Sequence, residues 1–283
     1  MPELPEVQTI VDDLNKKVLS RKVVSAWHDW PKLKAVEKTV GYKIEKAKRK
    51  GKNILFYLDH DKIFLVHQKM TGHLLIGHWK IAGKNVEALD PPTLKEKINK
   101  YIHFILTLDD GRMIGFSDLR KFGKVMFGSV EEIEGSADLK KLGPDALDPK
   151  LTVEALWQRL NKKSKTIYQT LMDQEVIAGI GNIYASDVLH EACIHPFKIA
   201  KKLKKEDVER LLKAIRKILK LSLKLRGTSI DDYRDTAGEE GYYGKKRLVY
   251  QKEGEKCSHC SHLVKRVKKG GRSAFFCPKC QKL

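Results

Sequence analysis

The sequence predicts an α+β fold, in which an N-terminal β-sandwich with an N-terminal helix precedes a helical half that ends in a zinc-finger β-hairpin. Three observations support this prediction. Short β-rich runs dominate residues 1 to about 130, helical periodicity replaces them after residue 151, and two Cys-x-x-Cys pairs stand near the C-terminus. Short strands separated by turn signals are typical of sandwiches and barrels. The change of period favours more than one domain within 283 residues.

The first predicted element is a helix that begins near Pro5. Proline suits the first turn of a helix, and an acidic side chain such as Glu6 suits its positive end. Apolar residues then recur at helical spacing, at Val7, Ile10, Val11, Leu14 and Val18. On this interpretation alone, Pro5 and Glu6 have a purely structural role.

Six β-rich runs follow this helix and build the predicted sandwich. They cover residues 53–58, 63–66, 73–79, 101–108, 113–116 and 124–127. Asp59-His60-Asp61 and Asp109-Asp110-Gly111 lie between neighbouring runs and predict hairpin turns. Glycine and proline then accumulate between residues 135 and 149, which indicates a linker.

The second half is predicted to be helical. Helices are expected at residues 152–160, at 164–172, after Gly181-Asn182, and from about Lys204 to Gly227. A long polar segment with several glycines separates the last helix from the cysteine pairs, and a loop of this length is usually functional or disordered. The predicted divisions of the chain are residues 1–130, 131–151, 152–227, 228–250 and 251–283.

The chain is strongly basic. Its 56 lysines and arginines exceed the 36 acidic residues and give a formal net charge of +20 at pH 7, which predicts a polyanionic partner. Nucleic acid is favoured over a membrane, because no apolar run approaches the roughly 20 residues of a membrane span and the cations are spread over several segments. Since the N-terminus does not resemble a signal peptide, we expect the protein to be intracellular.

The N-terminus offers a nucleophile. Removal of Met1 would leave Pro2 with a free secondary amine beside the carboxylate of Glu3. Such an amine can attack the anomeric carbon of a sugar, displace its substituent and form an iminium, as lysine does in Schiff-base enzymes. Glu3 could then supply or accept the protons. This catalytic interpretation is compatible with a helix that begins at Pro5.

Four of the five cysteines have the spacing of a zinc site. They form the pairs Cys257-x-x-Cys260 and Cys277-x-x-Cys280, with residues 261–276 between them. Two such knuckles on a hairpin complete a tetrahedral site, which predicts one structural Zn²⁺. Four thiolates leave no open position for a catalytic water.

Two other arrangements of these cysteines stay open at this point. The four thiols could form two disulfides, although these are rare inside the cell. A nearby histidine, His259 or His262, could also replace one thiolate ligand. The fifth cysteine, Cys193, is expected to be a small buried core residue.

Short motifs in both halves suggest contact with nucleic acid. Met70 and Phe122 each lie in a turn-like motif with cations nearby, Gln68-Lys69-Met70-Thr71-Gly72 and Arg120-Lys121-Phe122-Gly123. An apolar side chain flanked by cations can enter a base stack and hold it open, although either residue could belong to the core. Gly179-Ile180-Gly181-Asn182 offers exposed N–H groups for a phosphate, or simply a helix N-cap at Asn182.

Five motifs in this order resemble the formamidopyrimidine-DNA glycosylase family. They are Pro2-Glu3-Leu4-Pro5-Glu6-Val7, His67-x-x-Met70-Thr71-Gly72, Asp118-Leu119-Arg120-Lys121-Phe122-Gly123, Gly181-Asn182-Ile183-Tyr184-Ala185 and the four-cysteine finger. The resemblance runs from Pro2 to about Gln281. It implies a monomeric, nucleoid-associated DNA glycosylase and AP lyase that excises oxidised purines, chiefly 8-oxoguanine and formamidopyrimidines, from damaged double-stranded DNA.

The resemblance also implies the roles of individual residues near the reaction. Pro2 would attack the sugar, and the Schiff base would undergo β- and δ-elimination that cuts the strand. Glu3 would protonate the sugar ring oxygen with support from Glu6. Lys52 would contact DNA beside the reacting sugar.

Other residues match DNA-binding positions of the family. The implied phosphate contacts are His67, Asn182, Tyr250 and Arg272. The implied triad that fills the gap left by the flipped nucleotide is Met70, Arg120 and Phe122. Residues 152–227 correspond to the family's helix-two-turn-helix domain, and residues 228–250 include the loop that closes over the extruded lesion.

The chain departs from the family pattern at three positions. Lys69 stands where a glycine usually precedes the methionine, Leu119 stands where proline is common, and Tyr168 stands where a lysine often approaches DNA. Two other functions remain alternatives: a glycosylase of the sister branch that acts on oxidised pyrimidines, and a non-catalytic zinc-ribbon protein that binds nucleic acid. Leu4, where the sister branch typically has glycine, favours the purine branch.

Overall fold

A computed structural model describes residues 1–230 and 232–283. It divides into two compact units, an N-terminal unit of Met1–Lys140 with Leu225–Gly244 and a C-terminal unit of Lys141–Lys224 with Lys245–Leu283. Most of the predicted lesion loop therefore belongs to the N-terminal unit, although it follows the helical half in sequence. Asp231 of that loop lies outside the described residues.

The N-terminal unit combines one long helix with antiparallel strands. In chain order, its elements are α1 (Leu4–Lys17), β1 (Val23–His28), β2 (Ile44–Lys50), β3 (Asn53–Leu58), β4 (Lys62–His67), β5 (His73–Ala82), β6 (Asn85–Asp90), β7 (Ile102–Leu108), β8 (Met113–Ser117), β9 (Lys124–Ser129), α2 (Val130–Glu134) and α3 (Ala137–Lys140). The strands form a five-stranded sheet in the order β1-β7-β8-β5-β6 and a four-stranded sheet in the order β2-β3-β4-β9.

One hydrophobic core joins the two sheets and α1. Phe64 of β4 contacts Phe104 of β7 edge to face, with ring centroids 6.0 Å apart, and Phe104 stacks on Phe116 of β8 at 5.2 Å. Val7 and Ile10 of α1 are fully buried in the same core. The helical stripe predicted from the sequence is thus the face of α1 that packs in this core.

The C-terminal unit is helical and ends in a hairpin. Its elements are α4 (Val153–Asn161), α5 (Ile167–Leu171), α6 (Asn182–Glu191), α7 (Lys205–Lys224), β10 (Lys265–Lys269) and β11 (Arg272–Phe276). Thr152 and Thr166 cap α4 and α5, because their hydroxyl oxygens accept hydrogen bonds from the N–H groups of Ala155 and Gln169. Across the described residues, no helix is both long and apolar enough to cross a bilayer.

The structure confirms the predicted α+β arrangement and corrects several details. The predicted helix at 164–172 is shorter, because Thr166 caps it, and α7 ends at Lys224, before Arg226 and Gly227 adopt positive φ. The predicted linker contains α3 and most of α2. Cys193 was expected in the core but is exposed, in a turn after α6 where its φ is 54°.

Candidate active site and nucleic-acid interface

The start of α1 is buried and tied to a distant segment of the chain. Pro2 and Glu3 are buried, and Glu3 is the N-cap residue of α1. One oxygen of the Glu6 carboxylate accepts a hydrogen bond from the backbone N–H of Glu3 at 2.8 Å. The other oxygen accepts one from the N–H of Thr228, also at 2.8 Å. Glu6 therefore joins the N-terminus to the beginning of the predicted lesion loop.

Gly227 makes this junction possible. Its φ is 84°, a conformation that favours glycine. A side chain there would also collide with Glu6, because a Cβ would lie 2.9 Å from both Cγ and Oε1 of that residue. The glycine that the sequence assigned to helix termination thus also allows the loop to approach Glu6.

A second set of buried charges holds the same loop at both ends. The Arg226 guanidinium donates to Asp13 of α1 and to Asp235 at 2.6 Å each. The Thr236 hydroxyl donates to Asp13 at 2.9 Å, and Lys17 donates to Thr236 at 3.0 Å. Both aspartates are buried. The residues that flank segment 228–234 are therefore both bonded to one residue of α1, Asp13, and sequence reasoning did not identify either aspartate.

Lys52 and His67 lie in the N-terminal unit, Lys52 in the turn between β2 and β3 and His67 at the end of β4. Burial, followed by the positive charges of Lys69 and Lys52, lowers the pKa of His67 to about 3, so its ring is neutral at pH 7. The backbone N–H of Lys69 donates to Nδ1 of His67 at 3.0 Å. The ring proton is therefore on Nε2, which is the donor that a phosphate oxygen requires.

Asp118 connects the two loops that carry the predicted wedge residues. This carboxylate is fully buried. It accepts hydrogen bonds from the Thr71 hydroxyl and, at 2.7 Å, from the N–H of Gly123. The Thr71 hydroxyl oxygen in turn accepts the N–H of Arg120 at 3.1 Å. The two loops are thus a single hydrogen-bonded unit, and no sequence pattern predicted the Asp118–Thr71 contact.

The predicted wedge residues themselves are exposed. Met70 and Phe122 are 42% and 46% exposed, which excludes the core position left open by the sequence. The Arg120 guanidinium lies over the Phe122 ring, 4.6 Å from its centroid. Arg120 and Phe122 therefore form one exposed pair, on a loop that is hydrogen-bonded to Thr71, the neighbour of Met70 in sequence.

Asn182 is the first residue of α6, and Gly181 is its N-cap. The ordinary N-cap role considered for Asn182 is therefore wrong. The hydroxyl of buried Tyr168 lies between the Asn182 side-chain amide and the backbone carbonyl oxygen of Ser273, 2.7 Å from the latter. Tyr168, a departure from the family pattern, thus links α5 to α6 and to β11.

Tyr250 is positioned by a buried carboxylate that the sequence did not reveal. Asp187 of α6 accepts the N–H groups of Leu248, Val249 and Tyr250 at 3.0 to 3.1 Å. The Tyr250 ring meets Phe275 edge to face, with centroids 5.1 Å apart. These contacts fix the backbone at Tyr250 against α6.

Arg272 begins β11 at the tip of the hairpin. It lines a cleft of about 270 Å³ together with Lys165, Lys269 and Gln169. One guanidinium nitrogen lies 3.7 Å from the Met172 sulfur. Asp173 also lines the cleft, so its three cations face one carboxylate, and this net positive charge favours a phosphate there.

The four predicted zinc ligands converge. The sulfur atoms of Cys257, Cys260, Cys277 and Cys280 lie within 4.8 Å of one another, and all four are free thiols. The Cys257–Cys280 and Cys260–Cys277 sulfur distances are 3.8 and 3.4 Å. A tetrahedral Zn²⁺ with bonds of about 2.3 Å separates its sulfur ligands by about 3.8 Å, so the site fits zinc and not two disulfides.

The two histidines considered as ligands differ. His259 belongs to a second group of possible ligands with His190 and Cys280, whereas His262 belongs to no such group among the described residues. A hydrogen bond from the backbone N–H of His262 lowers the pKa of Cys260 to about 6. This favours the thiolate form of Cys260, whereas burial raises the pKa of Cys277 and Cys280, so that metal binding displaces their protons.

Three family models match successive parts of the chain. The formamidopyrimidine-DNA glycosylase N-terminal domain matches residues 1–125, and the H2TH domain of the same glycosylase matches residues 142–234. The zinc finger found in FPG and IleRS matches residues 254–283. These matches confirm the predicted helical module and zinc finger.

Curated relatives and solved structures agree over the full length. Formamidopyrimidine-DNA glycosylases of Desulfitobacterium hafniense and Pelotomaculum thermopropionicum are 37% and 35% identical, over 99% and 100% of this chain and 100% of each relative. The structure of Lactococcus lactis Fpg with abasic-site DNA superposes with a TM-score of 0.86 at 30% identity, covering 99% of this chain and 100% of that one. This chain therefore belongs to the formamidopyrimidine-DNA glycosylase family of base-excision repair enzymes, which are DNA glycosylases with AP lyase activity.

Proposed function

We propose that this protein excises oxidised purines, 8-oxoguanine and formamidopyrimidines, from double-stranded DNA through a Schiff base on Pro2. The observation that carries this proposal is the double hydrogen bond of Glu6. Its carboxylate holds the N–H of Glu3 and the N–H of Thr228, and so places Pro2 and Glu3 beside the base of the loop that would close over a lesion. Solved relatives from Lactococcus lactis hold DNA that contains an abasic site or Fapy-dG.

Pro2 is the proposed nucleophile once Met1 has been removed. Its secondary amine attacks C1′ of the damaged nucleoside, the bond between C1′ and the base breaks, and the electron pair leaves with the base. The proline nitrogen then loses its proton, the bond between C1′ and the ring oxygen O4′ breaks with its electron pair going to O4′, and the nitrogen lone pair forms an iminium with C1′. Successive β- and δ-elimination break the bonds to the 3′ and 5′ phosphates, and water hydrolyses the iminium to free the amine.

Glu3 and Lys52 support this attack in the proposal. Glu3 protonates the sugar ring oxygen as the ring opens, which is a general-acid step. The cation of Lys52 favours the neutral form of a nearby amine and attracts the DNA strand beside the sugar. Both side chains are buried, where electrostatic interactions are stronger than in water.

The remaining predicted residues hold the DNA in an open conformation. A base inside a duplex hides its C1′, and extruding the nucleotide costs a few kcal/mol. Met70, Arg120 and Phe122 fill the gap, and the exposure of this group supports that role. Phosphates are bound by His67, Asn182, Tyr250 and Arg272, which offsets the cost through charge and N–H donors.

The rest of the proposal concerns partners and location. The net charge of +20 supports residence on chromosomal DNA, and we propose that the protein acts as a monomer in the nucleoid. The zinc finger holds one structural Zn²⁺ that stiffens the hairpin carrying Arg272 and supplies no reaction chemistry, since all four positions are thiolates.

The decisive experiment is borohydride trapping on defined duplexes. The purified protein is incubated with duplexes that carry 8-oxoguanine opposite cytosine, a formamidopyrimidine, an oxidised pyrimidine or an abasic site. Covalent adducts on the two purine lesions are expected, with the proline N-terminus confirmed by intact mass. Pro2→Gly is expected to lose trapping on damaged bases while keeping its affinity for a duplex with a stable abasic analogue.

Three outcomes would contradict the proposal in different ways. Preferential trapping on the oxidised pyrimidine would assign the sister-branch activity instead. Duplex binding with no adduct on any substrate would indicate a non-catalytic binding protein. Retention of Met1 in a protein that still forms adducts would exclude Pro2 as the nucleophile.

A further inference from the structure

His190 contacts the zinc site from outside the finger. It lies in the last turn of α6 and is fully buried. Its Nε2 is 3.2 Å from the sulfur of Cys257. Its other ring nitrogen, Nδ1, is buried without a hydrogen-bond partner in the part of the chain that the structure describes. The sulfur is therefore the polar neighbour that the ring is aimed at.

We infer that His190 is a positioning residue of the zinc site, with its Nε2–H donating a hydrogen bond to the Cys257 thiolate. A buried imidazole carries its proton on the nitrogen that has an acceptor. Here Nε2 faces a sulfur that becomes anionic when it binds metal, whereas Nδ1 faces no hydrogen-bond acceptor among the described residues. A hydrogen bond to an ionised acceptor is stronger than one between neutral groups.

The charge of the site explains why such a donor is useful. Four thiolates around Zn²⁺ leave a net charge of about −2, and Cys257 is a buried ligand. Burying negative charge is costly unless hydrogen bonds compensate it. The backbone N–H of His259 lies 3.4 Å from the same sulfur, so His190 is a second donor that comes from α6 and not from the finger.

This contact couples the metal site to the helix that begins at Asn182. Tyr168 contacts Asn182 at the first residue of α6, and His190 contacts Cys257 in its last turn. Both ends of α6 are thus fixed within the C-terminal unit. Zinc retention then stabilises not only the finger but also the position of α6.

A different arrangement is also geometrically possible. The ligand atoms of His190, His259 and Cys280 lie within 4.8 Å of one another, and the two imidazole rings are 4.5 Å apart. Either histidine could in that case bind the metal directly. The hydrogen-bond assignment is favoured because four thiolates already complete a tetrahedral site and because His259 is exposed.

The test compares His190→Leu, which removes the donor, with His190→Gln, which keeps an amide N–H near the position of Nε2. His60→Gln is the matched control, since His60 is an exposed histidine outside the zinc finger. Zinc affinity is measured by competition with a chromophoric chelator. His190→Leu is expected to bind zinc about tenfold more weakly or worse, whereas the zinc affinities of His190→Gln and His60→Gln stay close to that of the parent.

A spectroscopic measurement separates this role from simple packing. In the Co²⁺-substituted protein, loss of an N–H donor raises the energy of the sulfur lone pairs, so the sulfur-to-cobalt charge-transfer band of His190→Leu should move to longer wavelength. In His190→Gln, the band should lie close to its wavelength in the parent protein. The inference would be overturned if the band of His190→Leu did not move, or if all variants bound zinc equally well. It would also be overturned if the parent protein showed the absorption typical of nitrogen ligation.

Discussion

Lys69 and Lys121 share the left-handed backbone conformation, with φ of 55° and 54°, and each immediately precedes an exposed residue that we propose as a wedge. The two loops thus turn in the same way before Met70 and Phe122. This conformation costs a residue with a Cβ roughly 1–2 kcal/mol, whereas it costs glycine almost nothing. This explains why the family resemblance predicts glycine at position 69. The cost of having lysine there is a cost in backbone conformation and not in charge.

The first prediction follows from this strain. Lys69→Gly and Lys69→Ala remove the same charge, but only glycine relieves the positive φ. The glycine variant should be more stable to urea than the alanine variant by roughly 0.5–1 kcal/mol, after allowance for the greater freedom of glycine in the unfolded chain. Equal free energies of unfolding would show that this turn is not strained.

Asp118 should be essential for holding the wedge loops together. In Asp118→Asn, the amide offers one acceptor where Thr71 and Gly123 present two donors, so one buried donor loses its partner. We expect a loss of about 1–3 kcal/mol in the free energy of unfolding and weaker excision of 8-oxoguanine. Asp12→Asn, at an exposed position of α1, is the control and should change neither.

Arg226 should affect excision more than strand cleavage. Without its bonds to Asp13 and Asp235, the lesion loop loses an anchor at each end. In Arg226→Met, we expect excision of 8-oxoguanine to slow by about tenfold or more, as for the loss of a charged hydrogen bond. Cleavage at a preformed abasic site, which has no base to enclose, should change little.

A matched substitution separates this effect from a change of net charge. Arg21 is a partly exposed arginine of the same unit that pairs with Asp110 at 3.3 Å, and Arg21→Met should leave both rates near those of the parent. Equal slowing of excision and abasic cleavage by Arg226→Met would contradict a role for the anchor in enclosing the base.

His73 predicts a specific pH dependence of stability. Burial lowers the pKa of His73 to about 4, whereas an unfolded histidine titrates near 6.5. The unfolded state therefore binds more protons between these values, so the stability contributed by neutral His73 is complete above about pH 6.5 and declines as the pH falls towards 4. Urea unfolding across this range should show a shallower decline for His73→Gln than for His60→Gln, a variant at an exposed histidine.

The sequence revealed the interior of the sandwich better than its edges. The bounds of β3 were predicted without error, and β4, β5, β7, β8 and β9 were found to within a few residues. The three strands that were missed, β1, β2 and β6, are all edge strands. The sequence of β2 is Ile-Glu-Lys-Ala-Lys-Arg-Lys. Such charged residues are common on edge strands because they oppose aggregation. They also remove the apolar pattern from which a strand is predicted.

In the candidate site, residues that are close in sequence were predicted and contacts between distant residues were missed. Zinc ligands only three residues apart are visible in the sequence because their spacing is local. Asp13 meets Arg226 across 213 positions and Thr71 meets Asp118 across 47. Such pairs leave no periodic signal, since their function depends on a fold that brings distant residues together. His190 was missed for the same reason.

Tyr168 supplies the last prediction, which concerns a residue that differs from the family pattern. Its hydroxyl lies between the Asn182 amide and the Ser273 carbonyl oxygen, and its ring is fully buried. Tyr168→Phe keeps the ring but releases Asn182 and the backbone next to Arg272. We expect weaker binding to a duplex with a stable abasic analogue, with near-normal stability of the N-terminal unit.

A double-mutant cycle identifies the pathway of this effect. If Tyr168 acts by orienting Asn182, the Tyr168→Phe substitution should cost little further affinity in an Asn182→Ala background, because residues in one hydrogen-bond network are not additive. Full additivity would show that the hydroxyl acts through Ser273 and the hairpin instead. The dependence of DNA affinity on salt concentration should become weaker only if a phosphate contact is lost. A weaker salt dependence would therefore indicate that Asn182 is displaced, and an unchanged one would indicate a general loosening of the C-terminal unit.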